Sequence, residues 1–169
     1  MKLHEFFSNV AGVNLEMNVY TEDRRQMAMD FIQEYPCVKK DHIYTEFLLG
    51  FNGMSIVRDT SHILIYGFSF KETELIYPLD FYMADNYLVI GTYGENNKIS
   101  NLMDGIAYFY NIINENTFIY ASFTPGETMI NGDYLYLCEG FDSLLKIITT
   151  CNYQEQYEIC KVNSARLRK

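Results

Sequence analysis

The side chains best placed to do chemistry in this chain are carboxylates close together on short polar stretches: Glu72 with Glu74, Asp80 with Asp85, and Glu95. Two carboxyl groups about 5 to 9 Å apart suffice for glycoside hydrolysis. That chemistry needs one of them desolvated, because burial lifts a carboxyl into the acid–base range. All five fall at predicted loops or strand ends, where solvated charge is the simpler reading. His4, His42 and His62 show neither HExxH nor HxH spacing, and His42 falls in the first turn of a predicted helix. GxSxG, GxxxxGK[ST] and GxGxxG are all absent. The nearest glycine pattern, "IGTYGENN" with Gly91 and Gly94, has no helix after it to point N–H groups at a phosphate, and reads as a turn.

Cys37, Cys138, Cys151 and Cys160 form no CxxC pair. A zinc site needs clustered thiolates or imidazoles. No metal and no cofactor are therefore expected, and the thiols read as reduced, buried, small apolar side chains. Nothing here specifies a catalytic residue, so the chain reads as a binding domain and not an enzyme.

Charge is more informative. Thirteen Lys and Arg against 22 Asp and Glu give a net charge of −9 over 169 residues. From Asp59 to Asp142 there are 12 carboxylates and only two cations, Lys71 and Lys98, a local charge of −10. Such a field repels nucleic acid, whose binding rests on Lys and Arg neutralising phosphates. It favours a basic protein partner, mainly through faster encounter. Solubility alone also accounts for an acidic chain. The last nine residues, "KVNSARLRK", carry four cations and no acid, and read as a basic, flexible tail.

The elements that would position these groups follow from periodicity. "KLHEFFSNV" suits a short helix. Thr21 is a suitable N-cap for a helix with Glu22 and Asp23 in its first turn and Met27, Ala28, Phe31, Ile32 and Tyr35 on one face; Pro36 ends it. Asp41 opens the next, with Ile43, Phe47 and Phe51 in line, and Gly53 suits the left-handed position just past its end. "MSIVRD", "HILIYGF", "NYLVIGTY", the pair "GIAYFYNI" and "TFIYASF", and "DYLYLC" then read as six strands. "GFDSLLKIITTC" reads as a closing helix with Asp142 as its cap. The expected fold is α+β: one antiparallel-rich mixed sheet of about six strands with helices on one face. Residues 1–160 form the single expected domain, and 161–169 the tail. The 27 Phe and Tyr side chains, with no Trp, can fill that core. No apolar run approaches the roughly 20 residues that cross a bilayer. The amino terminus, with Glu5 and Asn9 and no small-x-small site, does not read as a signal peptide, which points to the cytoplasm.

The order of these pieces resembles the SUKH superfamily, which comprises fungal cell-wall-synthesis regulators and bacterial and phage immunity proteins. The resemblance is carried by Pro36, then "IYTEFLLGFNG" with Phe47, Leu48, Asn52 and Gly53, then "ILIYGF", "YLVIGTYGENNKI", "DGIAYFYN" and "YLCEGFDSLLKII" opening on Phe141. It covers roughly residues 30–150. It implies a fold without catalytic residues whose usual role is to bind and block a toxin, often a nuclease or another nucleic-acid-modifying enzyme. The function expected on this basis is immunity by direct binding of a basic toxin domain, with no direct contact to nucleic acid or membrane. A regulatory scaffold binding a cellular protein is the alternative. A small carboxylate-dependent hydrolase is a third reading, which would require a deep pocket holding two buried acids. From charge and loop placement, Asp80, Asp85, Tyr93, Glu95 and Asn96 are the expected protein-binding residues.

Overall fold

The structure is a computed structural model that describes residues 2–10, 12–17, 22–58, 60–67, 69–71, 74–76, 79–80, 87–94, 106–111, 119–123 and 136–167. Helices come first. α1 (Leu3–Ser8) leads to β1 (Val13–Met17), and then α2 (Glu22–Glu34), α3 (Pro36–Lys40) and α4 (His42–Gly50) follow. Thr21, the expected cap of α2, lies outside the described residues. Pro36 has two effects. It ends α2 by disfavouring helical geometry at Tyr35, and it opens α3 at the first helical position, where its missing N–H costs nothing. Asp41 caps α4 as its sequence position predicts, with Oδ1 accepting from Tyr44 N at 3.0 Å.

Among the described residues nine strands then run from β2 (Phe51–Arg58) through β3 (Ser61–Tyr66), β4 (Ser69–Lys71), β5 (Glu74–Ile76), β6 (Leu79–Asp80), β7 (Tyr87–Gly94), β8 (Ile106–Asn111) and β9 (Ile119–Phe123) to β10 (Tyr136–Glu139). Two helices close the chain, α5 (Phe141–Thr150) and α6 (Tyr153–Leu167). The fold is α+β. Among the described residues eight strands make one sheet, in the order β1-β2-β3-β7-β8-β9-β10 with β6 added beside β7; β4 and β5 pair separately. Every pairing described is antiparallel. The expected sheet is antiparallel-rich and mixed, of about six strands; those six are β2, β3, β7, β8, β9 and β10, and the count of six and the mixed pairing are what the described residues correct. The two-residue β6 is too short for alternation to announce it, whereas β1, "VNLEM", does alternate apolar with polar, a signal that the six expected strands leave out. Residues 161–167, within the expected tail, are the last turns of α6. Among the described residues no helix is long and apolar enough to cross a membrane.

Register explains which face is buried. Met54 lies opposite Ile65 and Ile56 opposite Ile63, so these four share one face, and each is at most 1% exposed. Phe7, Tyr44, Phe47, Leu48, Phe141, Leu144, Leu145 and Ile148 from α1, α4 and α5 close over them in one core cluster. At its centre the rings of Tyr44 and Phe47 stand 4.7 and 5.0 Å from that of Phe141, and Phe47 is 5.7 Å from Phe51. On the opposite face of the β2–β3 pair, Ser55, His62 and Leu64 are half-buried and Val57 is exposed.

Gly53 has a different role from the one its sequence position suggests. The helix ends at Gly50 and is capped by an extended Phe51, so Asn52 and Gly53 already belong to β2. Leu15 faces Met54 and Met17 faces Phe51, so β2 takes three steps where β1 takes two. The extra residue is a bulge. It breaks the two-residue alternation and lets Phe51 and Met54 both enter the core. Gly53 carries the strain with φ +113°, and a β-carbon there would stand 2.9 Å from Ile65 O. Gly53→Ala is expected to cost about 1–3 kcal/mol, read as a lower urea midpoint with unchanged slope. An unaltered midpoint would remove the bulge from this account.

Candidate functional site

The sequence-predicted binding residues do not gather at one point among the described residues. Asp80 is the last residue of β6 and pairs with Leu88. Tyr93 lies five residues further along β7, roughly 17 Å away at strand rise. Asp85, Glu95 and Asn96 lie outside the described residues, as does Glu72. Tyr93 is 2% exposed. A second bulge explains why: Val89 faces Phe109 and Gly91 faces Tyr108, so Ile90 is an extra residue on β7. The shift sends Leu88, Ile90 and Tyr93 into the same core. The Tyr93 ring lies 6.1 Å from that of Tyr153 on α6, and its hydroxyl is 2.8 Å from Ser61 Oγ. A partner would have to displace packed side chains to reach it. Gly91 sits within β7, inside the strand expected over "NYLVIGTY", and Gly94 is its last residue; the rest of the expected turn, residues 95–97, lies outside the described residues.

The groove that the described residues do form lies at the other end of the sheet, where β10 is the edge strand among the described residues. Three devices build it. First, Gly140, with φ +82°, turns the chain from β10 into α5. The cap of α5 is not Asp142, as predicted, but Asp41 from a hundred residues earlier, whose Oδ2 accepts from Phe141 N at 2.8 Å. One buried carboxylate therefore serves the amino ends of both α4 and α5. Second, the carboxyl end of α5 is held by Arg58 at the end of β2. Its Nη1 donates to Thr149 O at 2.7 Å, and Nη2 donates to Ile148 O and Cys151 O at 2.6 and 3.0 Å. A guanidinium there satisfies orphan carbonyls and the negative end of the helix dipole together.

Third, α6 starts on a capping box. Asn152 Oδ1 accepts from Glu155 N at 2.9 Å, while Glu155 Oε2 accepts from Asn152 N at 2.7 Å. The helix then runs against β10 and bonds to it. Ser164 Oγ accepts from Tyr136 N at 2.9 Å, and Asn163 Nδ2 donates to Leu137 O at 2.7 Å. Side chains of α6 thereby occupy backbone groups that a neighbouring strand would otherwise take.

Between β10, α5 and α6 remains an open groove of about 490 Å³ lined by Tyr136, Cys138, Glu139, Ser143, Asn163 and Arg166. Burial, and then the nearby Glu139 and Cys138, raise the Tyr136 hydroxyl above its ordinary pKa. The Cys138 thiol is pushed far up, first by burial and then by Cys160, Asp142 and Asp41. It stays protonated at neutral pH and is a packing group, not a nucleophile. Cys37, Cys138 and Cys160 are buried, and Cys151 is partly exposed. Among the described residues no cluster of His, Cys, Asp and Glu is arranged to hold a metal ion. His4 and His42 are exposed, and His62 pairs with Ser55 Oγ at 2.8 Å.

The sequence reading did not single out Glu139, Ser143, Asn163 or Arg166. A usable signal was present: Asn152-x-x-Glu155 is a capping-box pattern that announces the start of α6. No protein-family model, no curated protein and no solved structure matches the chain.

Proposed function

We propose that this chain is a non-enzymatic binding protein of the immunity type, with a SUKH-like fold, acting in the cytoplasm. It captures a basic toxin domain, such as a nuclease, and blocks it by occupying the surface its polyanionic substrate would use. The observation that carries this reading is the charge block: 12 carboxylates against two lysines between Asp59 and Asp142, the stretch that runs from β3 to the start of α5. Helices packed over one face of the sheet support it, because they leave the opposite face of β2 and β3 partly open with Ser55, Val57, His62 and Leu64. The contact is assigned to the acidic positions Asp80, Asp85 and Glu95 with Asn96, while Tyr93 braces β7 from inside. An ordinary interface would bury about 800 Å² on each partner.

The test is affinity capture on the tagged chain from cells that carry its native gene neighbourhood, with mass spectrometry of retained proteins. A stoichiometric partner with a basic, toxic domain, whose activity the chain abolishes at equimolar ratio, is the expected result. Recovery of an acidic or non-toxic cellular protein as the stoichiometric partner would replace immunity with a regulatory role.

A further inference from the structure

The acidic block attracts any basic protein, so it supplies encounter more than selectivity. Selectivity needs a feature that rejects a merely cationic surface. The β10 groove has one. Glu139 and Arg166 both line it and both are exposed. The ion pairs among the described residues are Lys146–Asp142 and Lys161–Glu158, so Glu139 and Arg166 share the groove without closing on each other. A carboxylate, a guanidinium and the Ser143 hydroxyl therefore face one space beside an edge strand. The hydrogen bonds of α6 to that edge engage Tyr136 N and Leu137 O, and the groove continues past them along Cys138 and Glu139.

The geometry points to this groove as a docking site for a short extended segment of the protein partner that carries one basic and one acidic side chain on the same face. In an extended chain such side chains stand two residues, about 6–7 Å, apart. The basic one meets Glu139 and the acidic one meets Arg166, while the segment's backbone lies along the exposed end of β10. Arg166 is then the discriminating residue, since a segment bearing only lysines meets a like charge there. The inference rests on the proposed function for the nature of the partner, but its test does not need that partner.

The test uses capped six-residue peptides of alternating threonine carrying lysine and glutamate two positions apart in either order, with a lysine-only peptide for comparison. Binding is followed by amide chemical shifts of the full chain. Saturable shifts at Tyr136, Cys138 and Glu139 are expected with one mixed order, and binding of the lysine-only peptide is expected to be about tenfold weaker. Arg166→Glu should reverse the preference toward the lysine-only peptide, and the milder Arg166→Gln should abolish it. A preference for the mixed peptide that persists in both variants, within twofold of that of the native chain, would overturn the proposal, as would shifts that fail to saturate with either mixed order. Loss of the charge-steered partner while the peptide result stands would count against the proposed function alone.

Discussion

Asp41→Ala is expected to destabilise the fold by about 3 kcal/mol, the largest loss from any single polar side chain described. At a urea slope of about 2 kcal/mol per molar this lowers the midpoint by roughly 1.5 M. Asp41 is 6% exposed, and its two oxygens accept from Tyr44 N and Phe141 N. An N-cap removed from one helix costs about 1 kcal/mol. Here two caps disappear together, and both N–H groups stay buried without an acceptor, each at about 1–3 kcal/mol. The loss is also non-local, because the carboxylate is what ties the start of α4 to the start of α5, beneath the packed rings of Tyr44 and Phe141. Asp41→Asn keeps one good acceptor and should lose about half as much. A loss below about 1 kcal/mol for Asp41→Ala would mean that the two helix starts are held independently.

Arg58→Ala is expected to cost about 2 kcal/mol, because three charge-assisted bonds to the last carbonyls of α5 disappear together. The expected loss is smaller than at Asp41, since Arg58 is only half-buried and water can replace part of what it gives. Arg58→Lys is the informative companion. A single ammonium cannot fork across Thr149, Ile148 and Cys151 as a planar guanidinium does, so it should recover no more than half of the stability. Equal midpoints for lysine and arginine would show that only the charge matters. Hydrogen exchange should also rise in the last turn of α5 and at the start of α6 before the rest of the chain opens.

These two residues show where the sequence is legible and where it is not. The capping of α4 by Asp41 is a local event, three residues long, and the position alone announces it. Its second duty, to Phe141, spans 100 residues, and the reach of Arg58 spans 90 to 93, so no local pattern carries either. The hairpin of β2 and β3, strand β7, the hairpin of β8 and β9, and α5 were readable because each repeats its apolar spacing over several residues. α6 was not readable from apolar periodicity, because the polar residues Gln156 and Ser164 stand on its buried side. Its capping box was the better guide.

The bulges at Gly53 and Ile90 are the instructive failures. Strict alternation over "YLVIGTYG" places Tyr93 opposite Leu88 and Ile90, but one extra residue returns all three to the same core. A tyrosine that reads as a surface anchor thus becomes an internal brace, and the groove at β10 depends on α6, which the strand pattern does not reveal. Charge was legible in a different way. Its sum along the chain needs no register, so the acidic block stands whatever the strands do.

The central claim is that this acidic block draws in and holds a basic protein partner. Association kinetics with the captured partner test it most directly, measured by stopped flow from about 50 mM to about 500 mM salt, for the native chain and for Asp80→Lys combined with Glu95→Lys. The account predicts that the native on-rate falls by more than about tenfold across that range, and that the double variant starts slower and loses most of its salt dependence. An on-rate that stays within about twofold across the range, and is the same for both proteins, would contradict it.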